Sequence, residues 1–137
     1  MITQTCKVCS KSFDTYESHK RKYCSVKCQN DERYFVFIEK WKNNEVDGMR
    51  GKTATSHHIR RYLFEKYNNC CSECGWSKVN PTTQKIPLEL EHIDGDFTNN
   101  KEKNLKLLCP NCHSLTPTWK GANKKQGRPR SKYYRGL

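Results

Sequence analysis

The stretch that decides the fold is LELEHIDGDFTNNKEKNLKLLCPNCH, which runs from Leu88 to His113. It contains two short apolar-rich runs, separated by a polar loop, and it ends in a Cys-x-x-Cys pair followed by histidine. A second Cys-x-x-Cys pair lies upstream at Cys71 and Cys74. A histidine, an asparagine and a second histidine follow one another through the stretch, at His92, Asn104 and His113. The paired cysteines predict a small metal-stapled fold.

The cysteine content indicates how so short a chain is stabilised. The chain has 137 residues, of which 34% are hydrophobic, and it has nine cysteines. A chain this short and polar buries a modest core and often needs a covalent or metal staple. Its first residues are not an apolar leader, and no stretch approaches the roughly 20 apolar residues that span a bilayer. We therefore expect a cytoplasmic protein whose thiols stay reduced, in which paired cysteines are zinc ligands.

The charge balance points to the class of partner. Lysine and arginine number 26 against 14 acidic residues, which gives a formal net charge of +12. Such an excess suits a polyanion, and nucleic acid is the first candidate.

Residues 1–30 form a small cysteine-rich unit. Cys6 and Cys9 make one pair, and Cys24 and Cys28 make another. Two short pairs at this separation are typical of a treble-clef or ribbon-like zinc site with four thiolate ligands. His19 lies between the pairs, but four cysteines already complete a tetrahedral shell. Units of this kind bind DNA, bind protein or simply staple a terminus, so the spacing predicts the metal and not the role.

Residues 31–69 are predicted to be a helical region that contacts DNA. Tyr34, Phe37, Ile38 and Trp41 recur at helical spacing, which favours a helix over 31–45 with an acidic N-terminal turn at residues 31–32. The β-prone composition of residues 34–38 leaves a strand as the alternative.

A loop over 46–55 with two glycines separates this helix from a second one over 57–68. Ser56 is the predicted N-cap of the second helix. Basic side chains near its start could meet phosphate, or could simply be a solvated helix end; the predicted contacts are His57, Arg60 and Arg61.

Residues 121–137 are predicted to be a basic arm. The segment Gly127–Arg130 is similar to the core of a minor-groove AT-hook, and a flexible arm of this charge would neutralise phosphates. The alternative is a solvated tail without a ligand. Around and within the arm, the predicted nucleic-acid contacts are Lys120, Lys124, Lys125, Arg128 and Arg130.

Residues 70–120 resemble the HNH, or ββα-metal, nuclease family in its zinc-stapled form. The resemblance rests on the His92–Asn104–His113 interval inside a frame of two Cys-x-x-Cys pairs. It implies an α+β fold: a zinc-stabilised domain with a first strand at about Leu88–Ile93, a second including Leu105–Leu108, and a helix beginning near Pro110.

The resemblance also implies roles for individual residues. His92 would be the general base, because an imidazole can accept a proton at neutral pH. Asn104 would brace the loop and orient the base, and His113 would bind the catalytic ion. Glu91 takes a position where the family often has aspartate. It is the expected carboxylate ligand, with Asp94 or Asp96 as alternatives.

Two kinds of metal follow from the same resemblance. The catalytic ion is expected to be Mg²⁺ or Mn²⁺, because carboxylate, imidazole and phosphate ligands suit hard or borderline ions. Cys70 could replace its neighbour in the structural site, but Cys71 makes the tighter knuckle. The expected ligands of the structural zinc are Cys71, Cys74, Cys109 and Cys112.

The expected activity is therefore a DNA endonuclease that nicks or cuts by metal-assisted hydrolysis. Compact enzymes of this type resemble phage-encoded and homing nucleases. The substrate is expected to be double-stranded, and double-strand cleavage would need a homodimer or two successive events. One alternative is a non-catalytic, zinc-dependent DNA-binding protein with a degenerate HNH site. Another is a nuclease directed at RNA.

Overall fold

The computed structural model describes residues 1–121. These residues form two compact units, Met1–Lys40 and a second that begins at Trp41. The AT-hook-like segment lies outside the described residues, as do four of the predicted DNA contacts: Lys124, Lys125, Arg128 and Arg130.

The first unit opens with a small antiparallel hairpin. Strand β1 spans Ile2–Thr5 and pairs with β2, Ser12–Thr15, so that Ile2 lies opposite Thr15 and Thr5 lies opposite Ser12. The hairpin is followed by a 3-10 turn, Glu17–His19, and by helix α1, Val26–Lys42. Cys6 at the end of β1 and Cys28 in the first turns of α1 are both buried.

Helix α1 resolves the helix-or-strand ambiguity in favour of helix, but it begins five residues before the predicted start. The side chain of Ser25 accepts a hydrogen bond from the amide of Cys28 at 3.2 Å, as an N-cap does. Asp31 therefore lies within the helix, where it pairs with Lys27 at 2.8 Å one turn away. The predicted start at the acidic pair is wrong, because the first helical turn contains Cys28, and a metal-binding cysteine gives no helix signal in the sequence.

The second unit contains a short hairpin where the sequence predicted a plain loop. Strands β3, Met49–Arg50, and β4, Ala54–Thr55, pair antiparallel around a turn that contains Gly51. Each of these strands has only two residues, too few to show an alternating pattern in the sequence, so the pairing could not be predicted. Helix α2 follows as His57–Lys66, and the side chain of Ser56 accepts from the amide of His58, which confirms the predicted cap.

The predicted α+β zinc-frame fold is confirmed in residues 89–114. Strand β5, Glu89–His92, pairs antiparallel with β6, Leu105–Leu108, with Glu89 opposite Leu108 and His92 opposite Leu105. Helix α3, Pro110–Ser114, follows at once and contacts both strands.

The core of the second unit lies where α2 packs against β6. Ile59 and Leu63 on α2 are fully buried, as are Leu88 beside β5 and Leu107 on β6. Burying such side chains is the main apolar contribution that holds the hairpin to the helix. None of the described helices is long and apolar enough to cross a membrane.

Candidate metal and catalytic site

Four cysteines of the second unit converge at the start of α3. The Sγ atoms of Cys71, Cys74, Cys109 and Cys112 lie within 4.8 Å of one another. The Sγ atoms of Cys74 and Cys109 are 3.7 Å apart. A tetrahedral zinc with bonds of about 2.3 Å separates its sulfurs by about 3.8 Å, so this cluster could hold structural zinc. The neighbouring thiol of Cys70 is turned away and donates to the carbonyl of Asn68 at 3.2 Å.

A second four-cysteine cluster lies in the first unit. Its members are Cys6, Cys9, Cys24 and Cys28, again with Sγ atoms within 4.8 Å of one another. Cys24 lies 3.5 Å from Cys9 and 3.6 Å from Cys28, sulfur to sulfur. These distances also fit one tetrahedral zinc.

The thiol pKa values have the same pattern in both clusters. A hydrogen bond from the backbone of Cys9 lowers the pKa of Cys6 to about 6, whereas hydrogen bonds with Cys9 and Cys28 raise the pKa of Cys24 to about 12. In the second cluster, burial acts to raise the pKa of Cys71, but hydrogen bonds from backbone amides outweigh it and lower that pKa to about 6. Hydrogen bonds with Cys109 and Cys74 raise the pKa of Cys112 to about 12. Thiolates this close together repel one another, and a bound zinc ion would offset that repulsion in either cluster.

Strand β5 and helix α3 bring together the side chains expected at the catalytic ion. Glu91 is 6% exposed, and its Oε2 lies 2.9 Å from Nε2 of His113. The other oxygen of Glu91 accepts a hydrogen bond from the hydroxyl of Thr118 at 2.6 Å. A buried carboxylate beside an imidazole is a donor set that suits a hard or borderline divalent ion.

The imidazole of His113 lies between two carboxylates. Glu89 and Glu91 alternate along β5 and so face the same side of the hairpin. The second nitrogen of His113, Nδ1, lies against Oε2 of Glu89, although the two are not aligned as a hydrogen bond. The indole of Trp119 meets the same ring edge-on, with centroids 5.0 Å apart. The orientation of His113 is thus constrained from three directions.

Asn104 braces the loop between the strands. Its side-chain oxygen accepts from the amide of Asp94 at 3.1 Å, and its nitrogen donates to Oδ1 of Asp94 at 2.9 Å and to the carbonyl of Asn99 at 2.8 Å. Burial acts to raise the pKa of Asp94, but the hydrogen bonds from Asn99, the amide of Asp96 and Asn104 outweigh it and lower that pKa. Both acids of this loop are held by local hydrogen bonds: Asp96 accepts from Thr98 at 2.7 Å.

His92 makes its contact with a different asparagine. Its Nε2 lies 2.8 Å from Oδ1 of Asn100, and both residues are buried. The same oxygen accepts from the hydroxyl of Thr55 at 3.0 Å, and the amide nitrogen lies 2.9 Å from the sulfur of Met49. The backbone carbonyl of Asn100 accepts from the indole of Trp41 at 2.7 Å. Asn100 therefore joins the strand that carries His92 to the region before α2.

The chain is also similar to known proteins. The chain is 34% identical over 114 residues to the H-N-H endonuclease F-TflIV of Escherichia phage T5, which covers 82% of the chain and 48% of the phage protein. Together with the residues described above, this match supports an assignment to the HNH endonuclease family.

A second relative of this HNH chain is the Zorya protein ZorE of Escherichia coli. It is 29% identical over 85 residues, which is 62% of the chain and 18% of ZorE. The HNH chain thus matches about half of the phage protein and a smaller part of ZorE. No family model matches the chain, and no solved structure matches it.

Asn100 is the site residue that the sequence reasoning missed. The sequence does contain a signal, because Asn99 and Asn100 follow one another in the loop after the first histidine of the HNH pattern. Nothing in the spacing distinguishes Asn100 from Asn104, however, and the family motif drew attention to Asn104 alone. Apart from His92, the partners of Asn100 described above lie more than 40 residues upstream, and local pattern reasoning cannot find such contacts.

The predicted nucleic-acid residues of the HNH chain occupy different environments. His57 is exposed at the start of α2. Arg60 donates from Nη2 to the carbonyl of Leu88 at 2.8 Å, and Arg61 pairs with Glu65 at 2.9 Å. The ammonium of Lys120 lies over the ring of Trp119 at 5.4 Å from its centroid.

Proposed function

We propose that this chain hydrolyses phosphodiester bonds in DNA, using one divalent ion and His92 as the general base. The observation that carries the proposal is the contact between the buried carboxylate of Glu91 and the half-buried imidazole of His113, with a buried, hydrogen-bonded His92 next to Glu91 in the same strand. Neither pairing has a use in a merely structural zinc module. The name of the phage T5 relative supports the same reaction class.

The hydrogen bond to Asn100 favours one tautomer of His92. If the amide nitrogen of Asn100 faces the weakly accepting sulfur of Met49, its oxygen faces His92 and Thr55. The oxygen can only accept, so Nε2 of His92 carries the hydrogen and Nδ1 is left to take a proton from water. In this proposal Asn100 is a positioning residue for the base.

Glu91 and His113 would hold the catalytic ion through a carboxylate oxygen and Nε2. A bound Mg²⁺ or Mn²⁺ would stabilise the charge that develops on the phosphate and the leaving oxygen. Thr118 fixes the second oxygen of Glu91, and Glu89 faces the far nitrogen of His113. Neighbouring strand residues point to opposite faces, which separates the base at position 92 from the ligand at position 91.

Glu89 is expected to tune the affinity for the catalytic ion. A carboxylate on the far nitrogen of a ligating histidine fixes the ring and makes it a better ligand, and its loss typically weakens metal binding by about 10–100-fold. Glu89→Gln should therefore raise the dissociation constant for Mn²⁺, measured by electron paramagnetic resonance on the full chain, by about that factor. Glu45→Gln, which removes an exposed acid elsewhere, serves as control. Unchanged Mn²⁺ affinity in the Glu89 variant would show that Glu89 does not influence binding of the ion.

The activity itself is tested on supercoiled plasmid and on genomic DNA, with Mg²⁺ or Mn²⁺ added or omitted. We expect nicked or linear plasmid only when the ion is present, and the ratio of the two products reports whether one strand or both are cut. Binding of DNA without cleavage under every condition would instead support a non-catalytic, zinc-dependent DNA-binding protein. Preferential cleavage of structured RNA in a competition would overturn the choice of DNA.

The remaining parts of the proposal are its setting and assembly. We propose a double-stranded substrate, structural zinc in both cysteine clusters and a cytoplasmic location. A single HNH site cuts one strand, so linear product formed in a single binding event would indicate a homodimer. The basic residues outside the catalytic site would supply DNA affinity that falls with salt.

A further inference from the structure

Two concave surfaces of the second unit meet at the start of α2. One, of about 470 Å³, is lined by residues that include Arg50, His57, Arg60, Glu89 and His113. The other, of about 780 Å³, is lined by His57, Arg60 and a loop that contains Lys85. Both surfaces share His57 and Arg60 and so adjoin at these residues; together they are here called the α2 groove. It leads from the ion-binding histidine to the loop before β5.

The α2 groove is cationic along its length. Its basic side chains are Arg50, His57, Arg60, Arg61 and Lys85. Arg61 also pairs with Glu65, and the acid on the groove wall, Glu89, is already in contact with His113. The guanidinium of Arg60 is held in place, since it donates to the carbonyl of Leu88 and lies over the ring of Phe64 at 5.2 Å from its centroid. A guanidinium has five N–H donors, so others are left for a ligand.

The outer part of the groove also has apolar walls. Phe64, Val79, Ile86 and Pro87 line it together with the cationic side chains. A ligand with both anionic and apolar faces fits this lining better than a bare anion does. A nucleotide strand has that composition, with phosphates on one side and sugar and base faces on the other.

We propose that the α2 groove holds the backbone of the DNA strand next to the cleaved bond, and this inference rests on the proposed nuclease function. The α2 wall from His57 to Phe64 is about 10 Å long, at about 1.5 Å per residue. That length matches about three nucleotides at roughly 3.4 Å each. Arg50 and Lys85 then lie at the two ends of the track, one near His113 and one far from it.

The test measures DNA binding as a function of salt with the full chain. A duplex oligonucleotide is titrated with the His92→Ala variant, or with the wild-type chain without added Mg²⁺ or Mn²⁺. The groove variant Arg50→Gln/Lys85→Gln is compared with Lys40→Gln/Lys103→Gln, which loses the same two charges at exposed positions outside the groove. Zinc content and melting temperature verify that each variant is folded.

Each phosphate contact contributes about 0.9 to the slope of log affinity against log salt. The groove variant should therefore lose about 1.8 from the slope, so its affinity falls about 12-fold less than that of the parent between 0.05 and 0.2 M salt. The control variant should keep a slope close to that of the parent. Equal slopes for the two variants would overturn the groove as a phosphate track.

The outcome is independent of the nuclease assay. Plasmid cleavage by the wild type, combined with equal slopes for both variants, would support the nuclease function and overturn the groove as a DNA-binding site. DNA binding that depends on Arg50 and Lys85, without cleavage by the wild type, would support the groove as a DNA-binding site and overturn the nuclease function.

Discussion

His92→Ala should lower the rate of plasmid cleavage by roughly 10²–10⁴-fold, the range that a positioned general base contributes. The reason is that Nδ1 of His92 would be the group that takes the proton from the attacking water. Cleavage is followed on supercoiled plasmid at saturating Mn²⁺, so that a change in ion affinity does not enter the rate.

Loss of the base must be separated from loss of the fold, because His92 is buried and bonded to Asn100. His19→Ala, at an exposed histidine of the first unit, is the matched control and should cleave like the wild type. Free imidazole added to His92→Ala should restore part of the rate, which it would not do for a residue that only supports the fold. Cleavage by His92→Ala at the wild-type rate would exclude His92 as the base.

Cys109→Ser should remove one of two zinc ions and unfold the region around α3. Cys109 is buried, caps α3 and accepts from the amide of Cys112 at 3.4 Å. Structural zinc contributes an apparent 10–16 kcal/mol in zinc-finger peptides, about as much as the whole stability of a small domain. A helix of only five residues has little stability of its own. Without zinc, His113 therefore loses its position.

Elemental analysis and circular dichroism on heating measure both effects. The matched control is Cys70→Ser, which alters the thiol beside Cys71 but outside the cluster. It should keep two zinc ions and melt like the wild type. Two zinc ions in Cys109→Ser would show that the thiols do not bind as proposed, and one zinc ion in Cys70→Ser would assign Cys70 as a ligand in place of Cys71.

The metal framework could be predicted because its signals are local. A Cys-x-x-Cys pair has the ligand spacing within itself, and the second unit gathers the four cysteines that the sequence proposed. The cap at Ser56 and the strand Leu105–Leu108 are local signals of the same kind, and the structure confirms both. Helix caps, short strands and paired metal ligands depend on interactions among residues that are close together in the sequence.

Features that depend on distant contacts could not be predicted. Asn100 meets Trp41 and Met49 across more than 50 positions, and neither spacing nor composition encodes that contact. The two-residue strands of β3 and β4 are too short to have a pattern. Glu89 was overlooked because the motif names one carboxylate, and only the fold brings a second one to His113.

The contacts of Asn100 also determine how small an excised nuclease fragment can be. The HNH resemblance alone would place the start of a minimal fragment near Cys71. However, the residues that hold Asn100 against His92 come from further upstream: Thr55 and Met49 meet its side chain, and Trp41 meets its carbonyl. Gly48 also packs closely against this region, since a Cβ at this position would lie 2.5 Å from Ile59 and 3.0 Å from Asn100. A fragment that keeps His92 anchored must therefore extend upstream at least to Trp41, in the last turn of α1.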